Sequence, residues 1–424
     1  MSISTRLFMR KCVVPSEVSG RIVAPPSKSV AQRAIALAAM ARGESLLRNV
    51  GQSDDVRAAI GIAQALGARL QMAGDGALRV CGGELLRGGT LCCGESGLAM
   101  RMFAPIAAAA GGEWRINACG TLLQRPVAPL ADALRCLGVE VDTSAPPLVL
   151  RGLMRGGAIR IDGRHGSQVM SGLLMAAPYT QQSLTIHVDT LNSRPYVYLT
   201  IDMMQQFGVQ VDISDSGRQF GVMAGQHYAP CNIDVEGDWS GAAFVLCAAA
   251  IAGWVRVDGL REQSLQPDRA VLDVLRRVGA MVESVRGGIA VQRDELRSFT
   301  FDATHCPDLI PPLAALAAYC DGCSCISGVS RLRTKESDRA AALVHEFGLM
   351  GINIGIDGDS LLVHGGAPRA ATLHSHADHR MAMACAVAAL QASGTVVIEG
   401  AEAVRKSYPE FWMHLEQLQR GSSV

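Results

Sequence analysis

Six times along the chain a run of small apolar residues follows directly on a polar cluster: SKSVAQRAIALAAM, GESGLAMRMFAPIAAA, GSQVMSGLLMAAP, GDWSGAAFVLCAAA, CPDLIPPLAALAA and HADHRMAMACAVAAL. Lys28, Leu98, Gln168, Asp238, Asp308 and Asp378 hold the same place in the six, each 70 residues after the last. Apolar residues lie on every side of these runs, so each predicts a helix buried all round rather than one lying on a surface. A second pattern keeps the same beat. The pairs Leu66-Gly67, Leu137-Gly138, Phe207-Gly208, Val278-Gly279 and Phe347-Gly348 close amphipathic stretches such as PLADALRCLG and VLDVLRRVG, with glycine expected just past each helix end. Strand-like segments follow the apolar runs: GESLLRNV, GGEWRINA, QQSLTIHV, GWVRVDG, GCSCISGV and GTVVIEG. One repeat is therefore strand, buried helix, strand, amphipathic helix, strands.

Six copies of an α/β unit can stack as a solenoid or close into two domains of three. Helices that are apolar all round need an interior, and 424 residues exceed what one core supports, so two globular domains are expected. Halving the set assigns 27-236 to the first and 1-26 plus 237-424 to the second.

Charge and composition narrow the function. Lys+Arg and Asp+Glu both total 39, which leaves no net charge to draw the chain to nucleic acid or an anionic membrane, and aromatics at 4% are too few for base stacking. Thirteen cysteines without a framework spacing fit reduced thiols, and no apolar window is long enough for a signal peptide or a membrane span, so a soluble, cytoplasmic protein is expected. The Cys320, Cys323, Cys325 cluster lacks a fourth metal ligand and reads as small buried strand residues.

The polar clusters carry the chemistry. Helix N-termini leave backbone N–H groups unpaired and partly positive, so polar side chains cap them and anions bind there. Capping alone accounts for an isolated Asp238, but Lys28, Arg33, Arg101, Arg339 and Arg380 add cations where a positive helix end disfavours them, which implies an anion between them. Arg125 in LLQRPV, Lys335 and Arg339 in RTKESDR, and Lys406 in VRKSYP add to this set. In RTKESDR, Lys335 and Arg339 are expected at i,i+4 on one helical face with Glu336 one step round, holding a phosphate or carboxylate beside a proton donor; a solvated charged face is the plainer alternative. No phosphate-binding P-loop and no dinucleotide fingerprint is present. His374, His376, Asp378 and His379 crowd one segment, but Arg380 adjoins them and no separate segment supplies an obvious further ligand, so no metal site is expected.

SKSVAQR, LQRPV, SQVMSGLLMAAP, SRPYVYLT, DLIPPLAALA, RTKESDR, ADHRMAMACAVAAL and RKSYPEF, in this order over nearly the whole chain, resemble the 5-enolpyruvylshikimate-3-phosphate (EPSP) synthase family. The resemblance implies an α/β fold of two similar domains, each of three βαβαββ units in an inverse α/β barrel-like arrangement, with helix N-termini facing an interdomain cleft. It implies transfer of the enolpyruvyl group of phosphoenolpyruvate (PEP) to the 5-hydroxyl of shikimate 3-phosphate with release of phosphate, by a monomer that needs no cofactor and no metal. Asp308 would be the base toward the sugar hydroxyl, Glu336 the carboxylate that handles the methylene proton, and Lys28 the bridge between the substrates. Shikimate 3-phosphate would be held by Lys28, Ser29, Arg33, Ser167, Gln168, Ser193, Tyr196, Asp308 and Lys335. PEP would be held by Lys28, Gly97, Arg125, Gln168, Arg339, His379, Arg380 and Lys406. Gly97 would leave room for glyphosate.

Glu95 and Leu98 stand where the family carries an amide and a hydroxyl, Gly166 replaces one of two paired serines, and Arg331 replaces an asparagine of some members. These differences leave open a paralogue acting on another shikimate-like acid. The related UDP-N-acetylglucosamine enolpyruvyl transferase carries a cysteine shortly before Arg-Pro, as Cys119 precedes Arg125-Pro126 here, but the SKS, KESDR and DHR segments side with EPSP synthase. A non-catalytic anion-binding homologue would lack the acid and base that Asp308 and Glu336 supply.

Overall fold

A computed structural model describes residues 9–74, 76–144 and 148–421. The chain divides into two compact units, Pro26–Glu236 and a second made of the residues up to Pro25 together with Gly237–Val424. Each unit has its own hydrophobic core.

The repeat is visible in six small sheets among the described residues. In the second repeat of the Pro26–Glu236 unit, strand Gly89–Cys92 runs parallel to Glu113–Asn117, which pairs antiparallel with Leu148–Arg151, itself antiparallel to Glu140–Asp142. The parallel pair is joined by the buried helix Gly97–Ala110 and the next step by the amphipathic helix Ala128–Cys136. Side chains on this last helix alternate between the core, where Leu130, Ala131 and Leu134 sit, and water.

Two sheets borrow their first strand from the far end of their own unit. Asn232–Asp234 precedes the helix Trp239–Ala252 in sequence yet pairs parallel with Gly43–Arg48, completing the first repeat. Val18–Val23 precedes the helix Lys28–Met40 yet pairs parallel with Gly253–Asp258, completing the fourth. The sixth sheet has three strands, its third being Arg10–Val13, antiparallel to Val396–Glu399. These pairings are what divide the chain after Pro25 and after Glu236.

The six apolar runs are helices in the cores. All residues of Trp239–Ala252 are buried, and this helix packs on Ile310–Ala317 and His379–Ala389, which also pack on each other. In the other unit Gly97–Ala110 packs on both Lys28–Met40 and Gln168–Ala176. At roughly 1.5–3 kcal/mol for each buried large apolar side chain, such helices are held by tertiary burial and not by intrinsic propensity.

Three local expectations differ. The fifth amphipathic helix does not close at Phe347-Gly348 but runs Arg339–Leu349, and the left-handed glycine is Gly351 at φ +75°. Helices shed their last carbonyls wherever the next left-handed residue allows, and here that residue comes three positions later. The fifth apolar helix begins at Ile310 after a short 3-10 turn, Pro307–Leu309, so Asp308 lies in the turn and not at the α-helix cap; Pro311 and Pro312 are tolerated in the first turn because N–H groups are unpaired there. Of the three clustered cysteines only Cys320 is buried, and the described cysteines are all free thiols. No helix among the described residues is long and apolar enough to cross a membrane.

Candidate active site

Four of the six buried helices are capped by their own polar side chains. Ser27 accepts from the Val30 N–H, Ser96 from Ala99, Asp238 from Ser240 and Asp378 from Arg380. Capping therefore consumes part of the polar clusters, while the cations next to them are disposed otherwise.

In the Pro26–Glu236 unit the Lys28 ammonium lies 3.0 Å from Asp55, both nearly buried. Arg33 is sealed inside: Nε donates to the Thr200 hydroxyl at 2.8 Å, Nη1 to the Ser29 carbonyl at 2.9 Å and Nη2 to the Ser171 hydroxyl and the Tyr196 carbonyl. Burial pulls this guanidinium down to about 10. Arg33 thus ties Ser29 and Tyr196 together from beneath. Ser193 and Tyr196 start the helix Arg194–Gln206, with Ser193 left-handed at φ 54° and its carbonyl accepting from the Tyr196 N–H.

Gly97 is where two arginines meet. A β-carbon there would run into the Arg125 guanidinium and come within 2.8 Å of Arg101 Nη1. Arg101 donates to the Gly97 carbonyl at 3.2 Å, to the Gln168 side-chain oxygen at 3.4 Å and to the Pro126 carbonyl at 2.9 Å. Gly97, Arg125 and Gln168 are thereby gathered around Arg101. The absent side chain at Gly97 leaves the Arg125 and Arg101 guanidinium groups close against the backbone at this helix start. Glu95 accepts from the Thr121 N–H at 3.1 Å and from its hydroxyl at 2.8 Å, with Gly120 left-handed at φ +54° against the carboxylate. Its charge anchors the turn Gly120–Gln124 that carries Arg125. Ser167 sits at the Gln168 helix start without a side-chain cap bond, and Gly166 before it has φ +109°, a backbone that a serine would adopt only under strain.

The second unit holds a denser cluster. Arg339 is 1% exposed and surrounded by three carboxylates: Nε to Asp378 at 2.7 Å, Nη1 to Asp308 at 2.8 Å, Nη2 to Glu336 at 2.5 Å and to Asp378 at 3.2 Å. Asp308 is also approached by Arg380 at 3.3 Å and Lys335 at 3.5 Å. Burial favours the neutral acid, but Arg380, then Lys335 and Arg339, overcome it and hold Asp308 well below the usual carboxylate range. Burial pulls the Lys335 ammonium down to about 8 despite Asp308. His379 is buried next to Asp378, and Lys406, 7% exposed, comes from the turn Ala401–Lys406, which packs against the His379–Ala389 helix. Arg331 donates to the Thr304 carbonyl at 2.9 Å.

The RTKESDR segment is not the helical face expected of it. Asp338 caps the helix that starts at Arg339, accepting from the Ala341 N–H, so Lys335 and Glu336 lie in the turn before it. They meet Arg339 because the turn folds back on the helix start, and Arg339 is filled by carboxylates of this chain, where the sequence left it for an external anion.

Two residues of these clusters escaped the sequence reading. Asp55 of SDD pairs with Lys28 across 27 residues. Asp268 is fully buried, hydrogen-bonded to Ser240, and pushed up to about 6 by burial and by the Asp308 charge. The signal for both was weak: an acidic residue inside a short polar segment, SDD in one case and QPDR in the other, of the kind that ordinarily faces water.

The sequence matches the EPSP synthase (3-phosphoshikimate 1-carboxyvinyltransferase) family over residues 13–415. It is 36% identical over 418 residues to a 3-phosphoshikimate 1-carboxyvinyltransferase of Methanocorpusculum labreanum, covering 97% of this chain and 98% of the relative. A relative of the same description from Aeropyrum pernix is 37% identical over 412 residues, covering 96% and 95%. The fold superposes with a TM-score of 0.80 on an EPSP synthase from Acinetobacter baumannii at 24% identity, covering 97% of this chain and 98% of that one. It does so with a TM-score of 0.77 on the enolpyruvyl transferase NikO from Streptomyces tendae at 18% identity, covering 96% of each. With two carboxylates set among buried cations and the family matched along almost its whole length, this chain belongs to the EPSP synthase family.

Proposed function

We propose that this protein transfers the enolpyruvyl group of PEP to the 5-hydroxyl of shikimate 3-phosphate, forming EPSP and inorganic phosphate in the shikimate route to aromatic amino acids. The observation that carries the reading is Asp308, kept ionised by Arg380, Lys335 and Arg339 in a largely buried setting, with Glu336 joined to it through Arg339. The hydroxyl oxygen attacks C2 of PEP as Asp308 takes its proton, and Glu336 delivers a proton to the methylene carbon. The tetrahedral intermediate then expels phosphate as a methyl proton returns to Glu336, restoring the double bond.

Asp308 is a weak base while three cations share it. Anionic substrates that draw off Lys335 and Arg380 raise its basicity at the moment of need. Lys28, Ser29, Arg33, Ser167, Gln168, Ser193, Tyr196 and Lys335 serve shikimate 3-phosphate, Arg33 by fixing Ser29 and Tyr196 from behind. Gly97, Arg125, Gln168, Arg380, His379 and Lys406 serve PEP. Arg339 acts by holding the two carboxylates in register. The protein works as a monomer without cofactor.

The test is phosphate release from PEP with shikimate 3-phosphate by the pure protein. Release only with a different cyclic alcohol would assign it to a paralogous transferase, the reading that Leu98 and Gly166 favour. No release with any alcohol, together with PEP binding, would make it an anion-binding homologue.

A further inference from the structure

His345, Glu346 and His376 come together outside the carboxylate and cation cluster. Glu346 points inward from the helix Arg339–Leu349, its side chain 2% exposed. Its Oε1 lies 3.0 Å from His345 Nδ1 and 2.6 Å from His376 Nε2. The other oxygen accepts from the His374 N–H at 2.9 Å, which fixes the carboxylate plane. His376 comes from the turn between strand Thr372–His374 and helix His379–Ala389, where it and Ala377 are both left-handed, at φ 53° and 54°. Such a pair of non-glycine residues is costly and persists only where the surroundings over-determine it. The His374 ring adds a support: its Nδ1 accepts from the His376 N–H at 2.9 Å, which sets its tautomer and holds the turn. The separate segment missing from the sequence reading of this histidine-rich turn is thus His345-Glu346.

We propose that His345, Glu346 and His376 form a binding site for a borderline divalent cation such as Zn2+. The three donor atoms lie within 4.8 Å of one another. Ligands at tetrahedral Zn2+ stand roughly 3.3 Å apart for bonds of about 2.0–2.2 Å. Reaching that spacing needs the two imidazoles to draw together and the carboxylate oxygen to step back slightly from His376. His345, whose side chain is 66% exposed, supplies this motion at little cost. Two imidazoles and one carboxylate suit Zn2+, Ni2+ or Cu2+; Mg2+ and Ca2+ prefer oxygen donors, and thiolate-seeking ions prefer cysteine. The exposure of His345 and of His376, 36%, opens the site to water, which completes the coordination. The site is separate from the residues assigned to substrates, but His376 is two residues from Asp378, so the cation stiffens the turn that leads into the Arg339 clamp.

The test is titration of the chelator-stripped, reduced full-length protein with Zn2+ by equilibrium dialysis, and with Co2+ by absorbance. His345→Ala, His376→Asn and Glu346→Gln are compared with the parent. The expected result is one equivalent of Zn2+ bound by the parent. Affinity should drop about tenfold or more in His345→Ala, an exposed substitution that leaves folding and turnover unchanged. The Co2+ form should show ligand-field bands without the near-ultraviolet charge transfer of a thiolate. Equal Zn2+ binding by the parent and His345→Ala, a thiolate band, or no binding at all would overturn the assignment. Because His345 is outside the proposed catalytic set, these outcomes are independent of whether the protein makes EPSP.

Discussion

Arg339 and Asp378 face each other in the interior of the second unit, 1% and 0% exposed, with Nε to Oδ2 at 2.7 Å and Nη2 to Oδ1 at 3.2 Å. Asp378 also caps the His379 helix through the Arg380 N–H. One carboxylate thereby joins the start of the Arg339 helix to the start of the His379 helix, and through Arg339 positions Asp308 and Glu336. Replacing Arg339 by Met strands these carboxylates, and removing one partner of a buried pair costs about 3–5 kcal/mol. Urea unfolding should show that loss, with Arg339→Lys intermediate because it keeps the charge and loses the fork. An unfolding midpoint equal to the parent's would show that the clamp contributes nothing to the fold.

Asp308→Ala and Glu336→Ala should each lower turnover by about 10² or more while the protein stays folded. Stopped-assay phosphate release measures this, with circular dichroism as the control. Activity within tenfold of the parent would remove that residue from the proton transfers.

Lys335 predicts a pH dependence. In the free protein burial brings its ammonium to about 8, so it is charged and available to phosphate below that pH and neutral above it. kcat/KM for shikimate 3-phosphate should fall as pH rises through about 8. Lys335→Arg should hold its value to higher pH. Stability moves the other way. The unfolded chain, with lysine near 10.4, binds more protons between the two values, so this group's contribution to stability rises with pH across that window, and Lys335→Met should abolish the rise.

Glu95 tests what the departure from the family does. Its carboxylate holds Thr121, so Glu95→Ala should loosen the turn carrying Arg125 and raise the Michaelis constant for PEP. Glu95→Gln keeps one acceptor oxygen and should do so less. A lowered constant in Glu95→Gln would mean that the charge repels PEP directly.

Gly97→Ala should displace Arg125, since the added carbon meets its guanidinium. The expected outcome is weaker PEP binding with little change in melting temperature, measured by calorimetry and thermal unfolding. Unchanged PEP affinity would separate Arg125 from the substrate.

The six buried helices, their 70-residue beat and the strands after them were legible in the sequence because burial on all sides leaves a local record in the chain. Trp239–Ala252 has no polar face to hide, and Gly67, Gly138, Gly208 and Gly279 mark helix ends by a backbone that glycine favours. The eight motifs that resemble the family were equally local. Pairing across distance left no such record. That Asn232–Asp234 completes the first sheet, that Lys28 meets Asp55, and that Arg339 is saturated by Asp308, Glu336 and Asp378 depend on where the turns bring remote side chains. The same holds for Glu346 between His345 and His376. Periodicity reports which face of an element is buried; only the packed chain decides which charge it is buried against, because that energy depends on separation in space and not along the sequence.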